Sequence, residues 1–200
     1  MSSISTVIFD MGRVLVNIDF DAFPRLLGLE RNRPNRVDEQ AIRQMARDYE
    51  TGRIGTEQFF GKLDEIFRRK YTREQLLNAW NAIIQDENSA IVPIVDAVRA
   101  KYQTAILSNT SPVHFEKSFN TTAILKKFSR SYLSFQIGAA KPDPAVYLYV
   151  IRDIAAEPSS ILFIDDVSEN VAAAVKSGME GIVFKDVPSL YAELRLRQIL

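Results

Sequence analysis

Five short apolar runs, most of them separated by helical patterns, constrain this chain more than any other feature of its sequence. They are Thr6 to Phe9, Thr104 to Leu107, Tyr132 to Phe135, Ile161 to Ile164 and Gly181 to Phe184. Runs of this length without polar alternation suit strands covered on both faces, as in a parallel sheet. Between them, Pro144 to Ala156 carries Val146, Tyr149, Val150 and Ile154 at helical spacing. Ser168 to Ser177 is alanine-rich, with Ser168 as the expected cap and Gly178 as the expected stop. Repeated strand–helix units predict an α/β fold with a doubly wound, mostly parallel, Rossmann-like sheet.

Residues 20 to 88 have a different texture, with helical patterns and no convincing strand. Ile42, Met45, Ala46 and Tyr49 share one helical face. Phe59, Phe60, Leu63, Ile66 and Phe67 share another, and Leu76, Leu77, Trp80, Ile83 and Ile84 a third. Gly52 and Gly55 separate the first helix from the second, and Thr72 can cap the third. An aromatic stripe of this kind reads as helix-bundle core. The expected organisation is a core of residues 1–16 and 89–200, interrupted by a helical insertion of residues 17–88.

Twenty-five basic residues balance twenty-five acidic ones, so no global field attracts nucleic acid or an anionic membrane. Arg25, Arg31, Arg33 and Arg36, around Pro34, read as a solvated loop. Cysteine is absent, which excludes disulfides, thiolate metal sites and cysteine nucleophiles. No apolar run is long enough to span a bilayer, and the first residues do not form a secretory signal. The expectation is a cytoplasmic monomer or homodimer acting on a small molecule.

Ligands of open parallel sheets bind beyond the carboxyl ends of the strands. Here those ends carry Asp10, then Ser108-Asn109-Thr110, then Gly138 to Pro142 with Lys141, then Asp165-Asp166 with Asn170. One sheet edge therefore gathers three carboxylates, a hydroxyl, an amide and a lysine. Clustered carboxylates are costly unless a cation joins them. An all-oxygen donor set suits magnesium. A carboxylate can attack phosphorus, while a hydroxyl, an amide and a lysine hold and neutralise the phosphoryl oxygens. Each element alone is common turn or cap chemistry; their order at successive strand ends is not.

These segments resemble the four signature segments of the haloacid dehalogenase-like (HAD) superfamily. They stand here as Val7-Ile8-Phe9-Asp10-Met11-Gly12, Leu107-Ser108-Asn109-Thr110, Gly138 to Pro142, and Phe163-Ile164-Asp165-Asp166 with Asn170. The insertion is similar to the helical cap of one large branch. The Asp pair with Asn170 resembles the phosphatase domain fused to soluble epoxide hydrolases. The stretch from Phe9 to Asp19, with Ser108-Asn109-Thr110 and His114, resembles bacterial α-glucose-1-phosphate phosphatases. The resemblance implies Asp10 as nucleophile and magnesium ligand, joined by the Gly12 carbonyl and Asp166. It places Asp165 in the outer shell, Ser108 and the backbone of Asn109 on the phosphoryl group, and Lys141 between nucleophile and phosphate. Asn170 would orient the loop, and Lys141–Pro142 would be a cis bond.

One position departs from the family pattern. Most phosphatases of the superfamily carry a second Asp two residues after the nucleophile as general acid and base; here Gly12 stands there. Dehalogenases also lack that Asp, which keeps a 2-haloacid dehalogenase as a rival. They need no metal, however, and the Asp165-Asp166 pair argues for magnesium and phosphate. A weakly active binding or regulatory protein on the same fold is the third reading. Three further residues are weighed: His114 as a substitute proton donor, against the plainer reading of a helix-terminal or solvated histidine; Arg53 as a substrate contact from the insertion, against an exposed loop arginine; and Asp19, near the first hinge of the insertion, which reads as a helix cap rather than a catalyst.

Overall fold

The computed structural model describes residues 4–29 and 39–200. Arg31, Arg33, Pro34 and Arg36 lie outside them. The main sheet comprises β1 (Thr6–Phe9), β4 (Gln103–Ser108), β5 (Arg130–Leu133), β6 (Ile161–Asp165) and β7 (Glu180–Val183). Its order is β5-β4-β1-β6-β7, and every pairing is parallel. Side chains alternate between the two faces. Val7, Phe9, Ile106, Leu162 and Ile164 pack with α5 (Val92–Arg99) and α10 (Val187–Leu196). Ile8, Ala105, Leu107, Ile161 and Phe163 pack with α8 (Pro144–Ile154) and α9 (Ser168–Lys176). The result is the expected sandwich of helices on both faces of a parallel sheet.

A separate hydrophobic cluster draws its buried members from residues 23 to 83. It is built by α1 (Ala22–Leu26), α2 (Glu39–Glu50), α3 (Thr56–Ile66) and α4 (Arg73–Asn81). Tyr49 stacks on Phe59 at 4.4 Å, and Phe59 meets Trp80 at 4.7 Å. Thr72 caps α4 in a full capping box with Gln75. The aromatic stripe is therefore packing core, as expected.

Three readings need correction. Ile83 and Ile84 are not helical: α4 ends at Asn81, and Ile84 opens β3 (Ile84–Glu87). That strand pairs antiparallel with β2 (Val16–Ile18), zipping together the two passages into and out of the helical segment. Its sequence, Ile-Gln-Asp-Glu, has one apolar residue and shows no period of two. The run Tyr132 to Phe135 is split, because β5 ends at Leu133 and α7 (Ser134–Ile137) begins. The cause is tertiary: the Ser134 hydroxyl donates to the Glu50 carbonyl and accepts from the Thr110 N–H at 3.0 Å. Finally, Ser168 is not a cap. It bonds to Glu169, while Asp165 accepts the N–H of Val167, the residue that precedes α9.

The helical segment rests on the sheet domain through main-chain carbonyls as well as through side chains such as Glu87, which accepts from the Ala123 and Ile124 N–H groups at 2.8 and 2.9 Å. His114 and Lys117, on α6 (Pro112–Thr121), reach carbonyls at the end of α4 and the start of β3. The His114 ring meets the Trp80 carbonyl at 2.9 Å, and Lys117 donates to Asn81 and Ile84 at 2.6 and 2.9 Å. Gly52 sits in left-handed backbone, and a Cβ there would fall 2.4 Å from the Phe135 carbonyl oxygen.

Candidate active site

Register creates the site. Phe9 pairs with Ile106 on one side and Ile164 on the other. Asp10, one residue further on, therefore lies across from Leu107 and Asp165. The Lys141 ammonium joins all three, donating to Asp10 Oδ1 at 2.7 Å, Asp165 Oδ2 at 2.7 Å and the Leu107 carbonyl at 2.9 Å. Lys141 is 5% exposed, Asp10 7% and Asp165 0%, so these charges meet out of bulk water. Such groups hold one another only when fully paired and hydrogen-bonded.

Asp165 is fully engaged. Besides Lys141, it accepts from Val167 N at 2.8 Å and from Asn170 Nδ2 at 3.1 Å on both oxygens. Tyr147, on α8, donates to the main-chain carbonyl of Asn170 at 2.8 Å and so steadies the backbone that carries that amide. Asp166 is the open member of the pair, with Arg13 3.7 Å away. Asp10, Asp165 and Asp166 each present a carboxylate oxygen within 4.8 Å of the others.

The electrostatics follow from this crowding. Burial pushes the Asp10 carboxyl up to about 6; Lys141 pulls it down and Asp165 adds to the rise. Burial and then Asp165 also raise Asp166, partly offset by Arg13. Burial alone would lower the Lys141 ammonium, but Asp10 and Asp165 outweigh it and hold the lysine charged. Two carboxylates thus sit above their ordinary range beside a third. An all-oxygen cluster in that condition fits a divalent cation. Asp10 and Asp166 are the carboxylates with room for it, since Asp165 is already occupied by four hydrogen bonds.

Ser108 ends β4, one residue past the Leu107 carbonyl that meets Lys141, and is buried. Asn109 plays a part the sequence did not suggest. Its side chain clasps the Lys141 backbone, donating to the carbonyl and accepting from the N–H, both at 2.8 Å. This clasp aims the lysine inward from a loop whose Lys141–Pro142 bond is cis. Gly12 lies in the turn after Asp10 and is bridged to Val16.

Two weighed candidates resolve against chemistry. His114 is buried, stacked on Trp80 at 5.0 Å, and pushed down to about 4 by burial. It is a neutral packing histidine, not a solvated one and not a proton donor near pH 7. Asp19 is a turn cap: it accepts from Asp21 N at 3.0 Å and pairs with Arg25 at 2.7 Å. Arg25, expected in a solvated loop, instead lies in the last turn of α1 and is exposed there, paired with Asp19. Arg53 is exposed in the turn between α2 and α3, 3.4 Å from Asp48, and joins none of the groups above. Among the contacts the sequence did not disclose, the Leu107 carbonyl and Tyr147 left no pattern to find.

Comparison with known proteins agrees with this fold. The sequence matches the family of haloacid dehalogenase-like hydrolases over residues 4–178. It is 29% identical over 187 residues to D-ribitol-5-phosphate phosphatase of Bacteroides thetaiotaomicron, covering 88% of this chain and 90% of that one. It is 36% identical over 61 residues to bifunctional epoxide hydrolase 2 of Rattus norvegicus, covering 30% of this chain and 11% of that one. A HAD-family enzyme from Bacteroides thetaiotaomicron, solved with magnesium and inorganic phosphate, superposes with a TM-score of 0.79 at 24% identity. That match covers 94% of this chain and 100% of the other.

Proposed function

Because the chain belongs to the haloacid dehalogenase-like hydrolases, we propose that it is a magnesium-dependent phosphatase of small phosphorylated metabolites, with Asp10 as its nucleophile. The observation that carries this reading is the Lys141 ammonium, 2.7 Å from both Asp10 and Asp165. A lysine so placed neutralises the attacking carboxylate and the phosphoryl oxygens as charge shifts between them. The phosphatase named above, similar along most of its length, supports the same class.

In this reading Asp10 attacks phosphorus and forms an aspartyl phosphate while the alkoxide departs; water then hydrolyses the acyl phosphate. Asp10, Asp166 and the Gly12 carbonyl would hold the magnesium ion, which would supply positive charge against the phosphoryl oxygens. Ser108 and the backbone of Asn109 bind the phosphoryl group. Asn109 also fixes Lys141 through its side-chain clasp, and Asn170 fixes Asp165. Residues 17–88 form a cap that excludes bulk water and meets the leaving group, with Arg53 as its candidate contact. The dehalogenase reading leaves Asp166 without a task. The binding-protein reading leaves the buried Asp10–Lys141 pair without one.

Phosphate release from an aryl phosphate tests the class. It should require magnesium and fall to below roughly one part in 10⁴ in Asp10→Asn. Halide release from short 2-halo acids, indifferent to a chelator, would overturn the proposal.

Gly12 narrows the substrate. With no acid there to protonate the departing oxygen, leaving groups that tolerate negative charge are favoured: anomeric sugar oxygens, carboxylates and aryl oxides. The relative named above is called a phosphatase of D-ribitol 5-phosphate, a primary alkyl ester, so the two lines of support diverge. A Cβ at Gly12 would meet nothing nearer than Ile18 Cγ1 at 3.4 Å, so the backbone there accepts a side chain's first carbon without a clash. Gly12→Asp should raise kcat/KM on glucose 6-phosphate by up to about 10²–10⁴-fold. Glucose 1-phosphate and aryl phosphates should gain less. Equal wild-type activity on the 6-phosphate and the 1-phosphate would defeat the leaving-group argument.

A further inference from the structure

Among the described residues, five that are not glycine hold positive φ: Arg13, Arg68, Arg69, Ala155 and Gln198. Four of them follow the ends of α3, α8 and α10, where left-handed backbone is an ordinary way to stop a helix. Arg13 is different. It stands in the turn three residues after Asp10, with φ 60° and its N–H donating to Val16 at 2.7 Å. A residue with a Cβ is disfavoured there, and glycine or asparagine serves the turn better. Strain of this kind collects where a side chain has work to do.

The Arg13 side chain points at the carboxylate cluster. Its guanidinium lies 3.7 Å from Asp166 Oδ2 and 5.3 Å above the exposed ring of Phe20, which follows β2. Asp10 and Asp165 have Lys141 as their cation; the cation beside Asp166 is Arg13. We infer that Arg13 is a positioning residue that occupies Asp166 in the metal-free enzyme and gives it up to the divalent cation. This inference rests on the reading of Asp166 as a metal ligand. Arg13 holds the Asp166 carboxylate in place before the metal arrives, then turns into a like-charged neighbour of the bound ion. It thereby weakens metal binding and eases metal exchange, with Phe20 as the partner left to the guanidinium.

Calorimetric titration of the whole, substrate-free protein with magnesium chloride tests this without turnover. Wild type should bind one ion. Arg13→Ala should bind it about two- to five-fold more tightly, the range of an exposed ion pair. Arg13→Lys should stay near the wild-type affinity. The difference between wild type and Arg13→Ala should shrink in about 1 M salt, where the Debye length is about 3 Å. Arg13→Gly removes the side chain and relieves the backbone, so it keeps the test valid should the alanine variant fold poorly; it should show the same tightening. Equal or weaker binding by both Arg13→Ala and Arg13→Gly would overturn the role of Arg13 and leave the metal site standing. A wild type that binds no magnesium would remove both.

Discussion

The sheet domain and the helical segment are held together by opposite kinds of contact. At the carboxyl edge of the sheet, side chains with charge do the joining. Lys141 meets Asp10 and Asp165, and Asn170 and Asn109 lock the pair from either side. In the helical segment the interior is aromatic and uncharged, and the segment docks by lending main-chain carbonyls to the sheet domain. Glu50, Trp80, Asn81 and Ile84 each accept from Ser134, His114 or Lys117. The lesson is that chemistry here is written in residue identities, whereas docking is written in part in backbone positions. Substitutions at the sheet edge should therefore act on turnover, and substitutions at the docking surface on stability and its pH dependence.

The largest effect that sharpens this contrast belongs to Lys141→Ala. It strips the shared cation from two buried carboxylates, and turnover should fall by roughly 10²–10³-fold. Stability should drop as well, by about 3–5 kcal/mol, because the charges left behind are uncompensated. A stable Lys141→Ala protein with near wild-type kcat would break the comparison, since the buried triad would then be neither catalytic nor structural.

A smaller effect separates the docking surface from the site. His114 folds neutral, with its pKa lowered to about 4 from an ordinary value near 6.5. The unfolded chain therefore binds the extra proton between those values. This contribution is whole above about pH 6.5 and is lost as pH falls toward 4, to a limit of about 3 kcal/mol. His114→Asn should flatten that loss while leaving the pH profile of turnover in place. Glu50 runs the other way. Burial raises it to about 7, so the folded state holds a proton that the unfolded state releases above about 4.5. Stability from Glu50 declines as pH rises through 7, and Glu50→Gln should recover it at pH 8. Chemical denaturation across pH 4 to 8 for the wild type and both variants reads these slopes; parallel curves for all three would show that neither group is buried as described.

The same contrast explains what the sequence disclosed. Asp10, Ser108, Asp165 and Asp166 were legible because each ends or directly follows an apolar strand with a reactive type; Lys141, in the loop beyond α7, was legible only from its place in the order of the four segments. The helices of residues 39 to 81 were legible from their apolar spacing. The β2–β3 ladder was not, because its second strand is polar and is held by pairing to a distant segment. The splitting of Tyr132 to Phe135 was hidden for a similar reason, since Ser134 answers to Thr110 and Glu50, far away in sequence. Arg13 escaped notice because a loop arginine is ordinary in sequence, and its left-handed backbone shows in the fold alone.

The central claim is that Asp10 carries the phosphoryl group between substrate and water. Its most direct test is to mix the protein with magnesium and an excess of an aryl phosphate or acyl phosphate, quench in acid during turnover, and locate any covalent phosphoryl group by peptide mass spectrometry. The account predicts an acid-stable, base-labile phosphoryl group on Asp10, absent without magnesium and absent in Asp10→Asn. A phosphoryl group on another residue, or full turnover by Asp10→Asn, would contradict it.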